Sequence, residues 1–181
     1  ARLADLLADR AWAIDFGNYP TDYTDLHFLS LDFFLPRLAA ANLGVDLFYE
    51  VRPTLSKEQI GALARARVTS VQAGIESLST HILRLMRKGT TSLRNVEFLK
   101  QCKQAGVYVD WNMLFGFPGE QVEDYERTLA LVSLITHLQP PASVGEIRLD
   151  RFSPNFEQAD ALGFTNVRPW SLFRYVYPFD R

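Results

Sequence analysis

The segment 71–89, VQAGIESLSTHILRLMRKG, changes its periodicity at one glutamate. Before Glu76, apolar residues alternate with polar or small ones, as in a strand with one face in the core. After it the spacing becomes helical, with Ser79 suited to cap a helix and Gly89 suited to end one. The segment therefore predicts a strand that ends in a carboxylate and leads into a helix.

The same order of strand and helix recurs on both sides of this segment. The predicted strands are 46–52, 70–76, 107–117 and 146–152. The predicted helices are 54–68, which starts with Ser56 and Gln59 in capping-box spacing, and 79–89, 91–106 and 122–138. Strands that alternate with helices pair in parallel, so the predicted fold class is α/β.

The two ends of the chain have weaker patterns. A helix over 1–11, a strand over 12–18 and a helix over 25–44 are predicted, with Pro36 as an obstacle to an unbroken helix. No element is predicted after Phe152. The chain divides into 1–152, the later portion of a barrel, and 153–181, an aromatic and proline-rich extension expected to pack on it.

Each predicted strand has one apolar and one polar face. The polar faces carry Glu50, Arg52, Gln72, Glu76, Asp110, Asn112, Arg148 and Asp150. Helices that cover the apolar side curl such a sheet into a partial parallel (β/α) barrel with the polar side chains inside. Buried charges need partners, so this interior is expected to hold a polar ligand. The alternative is an open sheet whose polar face meets water.

Composition narrows the class of protein. With 19 basic and 21 acidic residues among 181, the net charge is −2, so no nucleic-acid partner is expected. No apolar run approaches the roughly 20 residues of a membrane span, and a soluble cytoplasmic protein without membrane contact is predicted. The chain starts at Ala1, and a fragment of a longer protein is expected.

Active sites on such folds lie at the carboxyl ends of the strands. Glu76 occupies one end, and FGFPGE (115–120) occupies another. There Gly116 and Gly119 permit close backbone approach and Pro118 fixes the turn. The alternatives are a tight β-to-α turn without function and, for Glu76, a salt bridge to an interior arginine, Arg52 or Arg148.

Several other reactive or charged residues favour structural roles. Cys102 is the one cysteine, so the chain can form neither an internal disulfide nor a metal site made only of its own thiolates. Cys102 is predicted to be buried on one helix stripe with Leu93, Val96 and Leu99. Surface or capping roles are predicted for His27, His81 and His137. Arg84, Arg87 and Lys88 are expected to complement a helix end. The aromatic residues of the extension either border a substrate or pack under the barrel: Trp170, Phe173, Tyr175 and Tyr177.

The segments VQAGIESLSTHILRLMRKGTT and AGVYVDWNMLFGFPGE, in this order, resemble the middle and late strands of radical S-adenosylmethionine (SAM) enzymes. LFYEVRPTLSKEQI, LQPPASVGEIRLDRFSPNFE and FTNVRPWSLFRYVYP are further similar to the cobalamin-associated members that mature ribosomally made peptides, including bacteriocins (RiPP maturation radical SAM protein 1 group). The resemblance covers about residues 44–179.

This resemblance implies an activity and its cofactors. Such enzymes bind SAM at a 4Fe-4S cluster held by CxxxCxxC, cleave it reductively and use the deoxyadenosyl radical. Members of the subgroup are often cobalamin-dependent methyltransferases that act on a ribosomal precursor peptide. By position, the SAM-binding residues would be Glu50, Arg52, Gln72, Glu76, Asn112, Gly116, Pro118 and Gly119.

The chain departs from the family pattern in two places. It contains no CxxxCxxC, so it cannot hold the cluster alone, and neither a catalytic residue nor a metal ligand is assigned. The family's Asp-Asn pair corresponds either to Asp15 and Asn18 or to Asp22. Two functions follow: part of a radical SAM enzyme that C-methylates a peptide, or a non-catalytic barrel that binds SAM, a nucleoside or a peptide. Sparse histidines disfavour a metal-dependent hydrolase.

Overall fold

Strands and helices alternate along the chain, which a computed structural model describes over residues 34–169 and 171–176. The strands there are β1 Leu47–Val51, β2 Val68–Ala73, β3 Tyr108–Asp110, β4 Asn112–Phe115 and β5 Ser143–Glu146. The helices are α1 Leu35–Ala41, α2 Lys57–Arg65, α3 Thr80–Leu85, α4 Ser92–Ala105, α5 Val122–Leu134, α6 Pro154–Glu157 and α7 Phe173–Val176. Some of the sequence predictions lie outside the described residues. These are the elements over 1–11 and 12–18 and the positions of Asp15, Asn18, Asp22, His27 and Trp170.

All strand pairs are parallel. One sheet has the order β1-β2-β3, and the other pairs β4 with β5. A single parallel bridge, Glu76 to Met113, joins the end of β2 to β4. The strands therefore lie side by side in chain order, which confirms the predicted α/β class and the partial parallel barrel.

The strand predicted over 107–117 is two strands separated by Trp111. β3 pairs with β2 on one side, whereas β4 pairs with β5 on the other. Trp111 is buried at this change of partner, and its indole N–H donates to the Gln139 carbonyl at 3.0 Å. The split thus lets one segment pair in two different ladders.

The last strand ends earlier than predicted. It runs over Ser143–Glu146, not 146–152, because its partner β4 is only four residues long. The Ile147 N–H donates to the Phe115 carbonyl at 2.8 Å, where β4 ends. Arg148 and Asp150 consequently lie beyond the strand rather than on its polar face.

The predicted apolar faces form the core. Leu47, Tyr49, Val71, Ala73, Ile75 and Val109 are buried beneath Ile60 and Leu63 of α2 and Phe98 and Leu99 of α4. Cys102 is buried as predicted, but Leu93 is 76% exposed. At about 100° per residue, Leu93 lies about 180° around the helix from Cys102, so the two cannot share a stripe.

Helix starts follow their sequence signals better than helix ends do. The Ser56–Gln59 capping box and the Ser79 cap are present as predicted. α2 stops at Arg65 because Arg67 adopts a left-handed φ of 62° before β2, and α3 ends well before Gly89. Pro36 lies in the first turn of α1, where a missing N–H has no cost.

The extension contains two short helices where no element is predicted. Phe164 packs edge-on against Phe117, with ring centroids 5.9 Å apart. Phe173 and Tyr175 are exposed. Over the described residues, no helix is long and apolar enough to cross a membrane.

Candidate functional site

Three polar side chains form a row across the first sheet. The register places Glu50 of β1 opposite Gln72 of β2, and Gln72 opposite Asp110 of β3. Neighbouring strands are about 4.8 Å apart, so the row spans roughly 10 Å. Glu50 and Gln72 are exposed, and Asp110 is half-buried. The polar face is therefore open in the part of the chain that the structure describes, and Arg52 is exposed just past the end of β1.

Glu76 follows β2 and stands in a left-handed conformation, with φ of 59°. Its carbonyl accepts the Leu114 N–H at 2.9 Å, and its Oε1 lies 3.3 Å from Lys88 Nζ. The glutamate side chain is 22% exposed. The ion pair predicted as an alternative exists, but its cation is Lys88 rather than Arg52 or Arg148. Lys88 therefore pairs with Glu76, in addition to the role at a helix end that was predicted for it.

The buried Asn95 contacts the backbone on both sides of Glu76, and sequence reasoning missed it. From α4, Asn95 Nδ2 donates to the carbonyls of Ile75 at 3.3 Å and Ser77 at 3.0 Å. The signal was present, since an asparagine on the apolar stripe of a helix needs hydrogen-bond partners.

The GFPGE turn forms as predicted. Gly116 and Gly119 have φ of 96° and 93°, values that favour glycine. The Gly116 N–H donates to Glu120 Oε2 at 2.8 Å, and the Tyr125 hydroxyl donates to the same oxygen. Burial, followed by the neighbouring Glu120, raises the pKa of Tyr125. Among the described residues, the buried Glu120 Oε1 has no hydrogen-bond partner.

An open cleft of about 770 Å³ borders this turn. It is lined by Gly116, Phe117, Pro118, Glu120, Glu146 and 163–168. Asn112 is not part of its lining, because the Asn112 amide oxygen accepts from Ser143 Oγ at 2.7 Å and ties β4 to β5. Of the predicted site residues, Gly116 and Pro118 line this cleft, whereas Glu50, Arg52, Gln72 and Glu76 lie on β1 and β2 or just after them.

A buried carboxylate links the helices that follow these two groups. Asp124 of α5, 1% exposed, accepts from Ser79 Oγ at 2.8 Å and bonds His81 Nδ1 at 2.7 Å. Burial alone would raise the pKa of Asp124, but hydrogen bonds from His81, Ser79 and the Gln121 N–H outweigh it and lower that pKa. His81 therefore joins α3 to α5, beyond the surface or capping role predicted for it.

The donor set does not fit an iron–sulfur cluster. Cys102 is the only cysteine, and burial raises the pKa of its thiol to about 12, which disfavours the thiolate that binds metal. The described residues include no group of three or more histidine, cysteine, aspartate or glutamate side chains placed to hold a metal ion.

The chain is similar to known proteins in sequence. Residues 13–132 match the family model described as the Radical SAM superfamily. An uncharacterized methyltransferase of Pyrococcus horikoshii, PH0819, is 25% identical over 122 residues, which are 62% of this chain and 27% of that protein. A tRNA-2-methylthio-N(6)-dimethylallyladenosine synthase of Chlorobium phaeobacteroides is 30% identical over 122 residues, 64% of this chain and 27% of that protein.

A solved structure shares the fold. The radical SAM methyltransferase TsrM of Kitasatospora setae, with cobalamin and a 4Fe-4S cluster bound, aligns with a TM-score of 0.59 at 19% identity, over 75% of this chain and 27% of that one. At this identity the likeness concerns the fold alone. The chain spans about a quarter of the length of these relatives.

Proposed function

The chain belongs to the radical SAM superfamily, and on that premise we propose that it is the SAM-holding part of a cobalamin-dependent methyltransferase that acts on a ribosomally made peptide. The family match over 13–132, the methyltransferase name of the Pyrococcus relative and the fold shared with TsrM support the enzyme class. The peptide substrate is supported by the resemblance of the flanking segments to peptide-maturation members.

The observation that carries the proposal is the paired charge at the end of β2. Glu76 and Lys88, 3.3 Å apart and each partly buried, match the two charges of the amino-acid tail of SAM. In this arrangement the Glu76 carboxylate accepts from the ammonium, and Lys88 donates to the carboxylate. Hydrogen bonds between charged groups contribute about 1.5–3 kcal/mol each.

The neighbouring strands supply the remaining contacts. Glu50, Gln72 and Arg52 offer acceptors and donors to the ribose hydroxyls from the polar face. Gly116, Pro118 and Gly119 border the adenine with their backbone, and Asn112 holds β4 and β5 together beside them. The role of this chain is therefore to hold and orient SAM.

The cluster ligands must come from outside these 181 residues, because the family's cluster needs several thiolates and this chain has one cysteine, which is buried. We assign the cobalamin to another domain of the intact protein. The single cysteine also favours a second candidate: a barrel that binds SAM or a nucleoside without cleaving it. The two functions differ in whether the intact protein carries iron and sulfide and cleaves SAM.

The test uses the intact protein, reconstituted anaerobically with iron and sulfide. Calorimetric titration should show SAM binding that Glu76→Gln weakens by about tenfold or more, the loss of one charged hydrogen bond. Glu97→Gln, an exposed helix variant of the same chemistry, should bind SAM as the wild type does. Absence of SAM binding would overturn the first candidate, whereas binding without iron, sulfide or SAM cleavage would favour the second.

The substrate class has its own assay. With SAM, cobalamin and a reductant, the enzyme should add the mass of a methyl group to its precursor peptide. Methylation of a nucleoside or another small molecule in place of the peptide would retain the enzyme class and overturn the peptide assignment.

A further inference from the structure

We propose that Asn95 is a positioning residue that fixes the backbone of Glu76 so that its carboxylate is presented to SAM; this inference rests on the proposed function. The left-handed conformation of Glu76 is unfavourable for a residue with a side chain, and such a residue keeps it only where its surroundings hold it.

Two peptide planes define φ and ψ of Glu76, and hydrogen bonds hold both of them. Within the backbone, the Ser77 N–H donates to the Ile75 carbonyl at 2.7 Å, across Glu76. The Ile75 carbonyl, in the plane before Glu76, accepts from Asn95 Nδ2 at 3.3 Å. The Glu76 carbonyl, in the plane after it, accepts from the Leu114 N–H at 2.9 Å. Asn95 also binds the Ser77 carbonyl at 3.0 Å, so it fixes the loop on both sides of the glutamate.

Asn95 is itself held firmly. It is fully buried, and its Oδ1 accepts from Thr90 Oγ1 at 3.2 Å, which directs the amide nitrogen toward the two carbonyls. A primary amide supplies two N–H donors, one for each carbonyl. Aspartate would place an acceptor against two acceptors. Leucine would remove the Asn95 bond to the Ser77 carbonyl and would leave the Ile75 carbonyl with the Ser77 N–H.

The carboxylate of Glu76 depends on this backbone. Its distance of 3.3 Å to Lys88 is set while Glu76 is left-handed. Without Asn95, the backbone bonds from Ser77 to the Ile75 carbonyl and from Leu114 to the Glu76 carbonyl remain. Glu76 then returns more readily to an extended or right-handed conformation, which turns its side chain away from Lys88. Asn95 thereby acts on SAM binding without touching the ligand.

The first experiment uses thermal unfolding of the intact protein to measure how strongly Asn95 holds Glu76 in its left-handed conformation. With Asn95 present, Glu76→Gly should unfold a few degrees higher than Glu76→Ala, because glycine accepts the left-handed conformation without strain. In the Asn95→Ala background this difference should shrink markedly, and Thr90→Val, which keeps the asparagine but removes its orienting hydroxyl, should reduce it by less. Thr128→Val, which truncates another buried hydroxyl, should leave the difference in place. If the unfolding temperatures of Glu76→Gly and Glu76→Ala differ equally in all backgrounds, Asn95 does not hold the Glu76 conformation and the inference is wrong.

The second experiment measures SAM affinity in a double-mutant cycle. Asn95→Ala should weaken SAM binding by about tenfold, as loss of the Glu76 contact would, and should change it little once Glu76→Gln is present. Additive effects of the two substitutions would overturn the positioning role. If the wild-type protein does not bind SAM, the proposed function fails together with the SAM part of this inference, whereas the unfolding comparison still decides whether Asn95 locks Glu76.

Discussion

At the scale of single residues, Glu76 combines an unfavourable backbone conformation with a partly buried charge. The pair that it forms with Lys88 has a modest distance, 3.3 Å, and both side chains reach solvent. Pairs of this kind contribute at most about 1 kcal/mol to stability. The pair therefore contributes little to stability, as the ligand-binding role that we propose for it allows.

Substitution of Lys88 tests this explanation. Lys88→Met keeps the length of the side chain and removes its charge, so SAM affinity in the intact protein should fall by about tenfold through loss of the contact to the SAM carboxylate. Calorimetric titration measures the change, and Lys100→Met on the exposed face of α4 is the matched control. Tighter binding by Lys88→Met would show that the lysine only competes with SAM for Glu76.

At the scale of elements, α3 and α5 are joined by Asp124 with Ser79 and His81. Because α3 follows the Glu76 loop and α5 follows the GFPGE turn, this link fixes the two loops relative to each other. Neither helix alone reveals the link in the sequence, since Ser79 is 45 positions from Asp124 and reads only as a cap.

The lowered pKa of Asp124 predicts a pH dependence of stability. Its pKa in the folded chain lies below the ordinary value of 3.8, so the charged form stabilises the fold at higher pH. That contribution should be complete above about pH 5 and should be lost as the pH falls through the folded pKa. Urea unfolding measured between neutral and acid pH should show a shallower acid loss for Asp124→Asn. Asp160→Asn, an exposed control, should keep the wild-type slope.

The GFPGE turn makes a second prediction at this scale. A Cβ at Gly119 would lie 3.3 Å from Leu85 Cδ2, and its φ of 93° is strained for any other residue. Gly119→Ala should therefore lower the unfolding free energy by about 1 kcal/mol or more and weaken SAM binding. Gly145→Ala is the control, since nothing lies within 4 Å of its added Cβ. Equal stabilities of the two variants, measured in urea, would contradict this account.

At the scale of the whole molecule, the order and parallel pairing of the strands could be predicted from sequence, because period-two alternation and capping residues are local signals. The partner change at Trp111 could not, since it depends on which strands lie on either side. The same holds at the site. Glu76 was found from the end of its strand, whereas Lys88 and Asn95 reach it across 12 and 19 positions of intervening helix and loop.

The parallel bridge between Glu76 and Met113 is where the two ladders meet, and the Leu114 N–H donates to the Glu76 carbonyl at this junction. Hydrogen exchange of the Leu114 amide should therefore report whether a ligand is bound at Glu76. A ligand that binds the Glu76 carboxylate should also stabilise the hydrogen bond at this junction. Saturation with SAM should therefore slow deuterium uptake at the Leu114 amide more than at amides of the distant helix α2. If the rate of deuterium uptake at Leu114 is the same with and without SAM, the junction between the two ladders does not respond to the ligand.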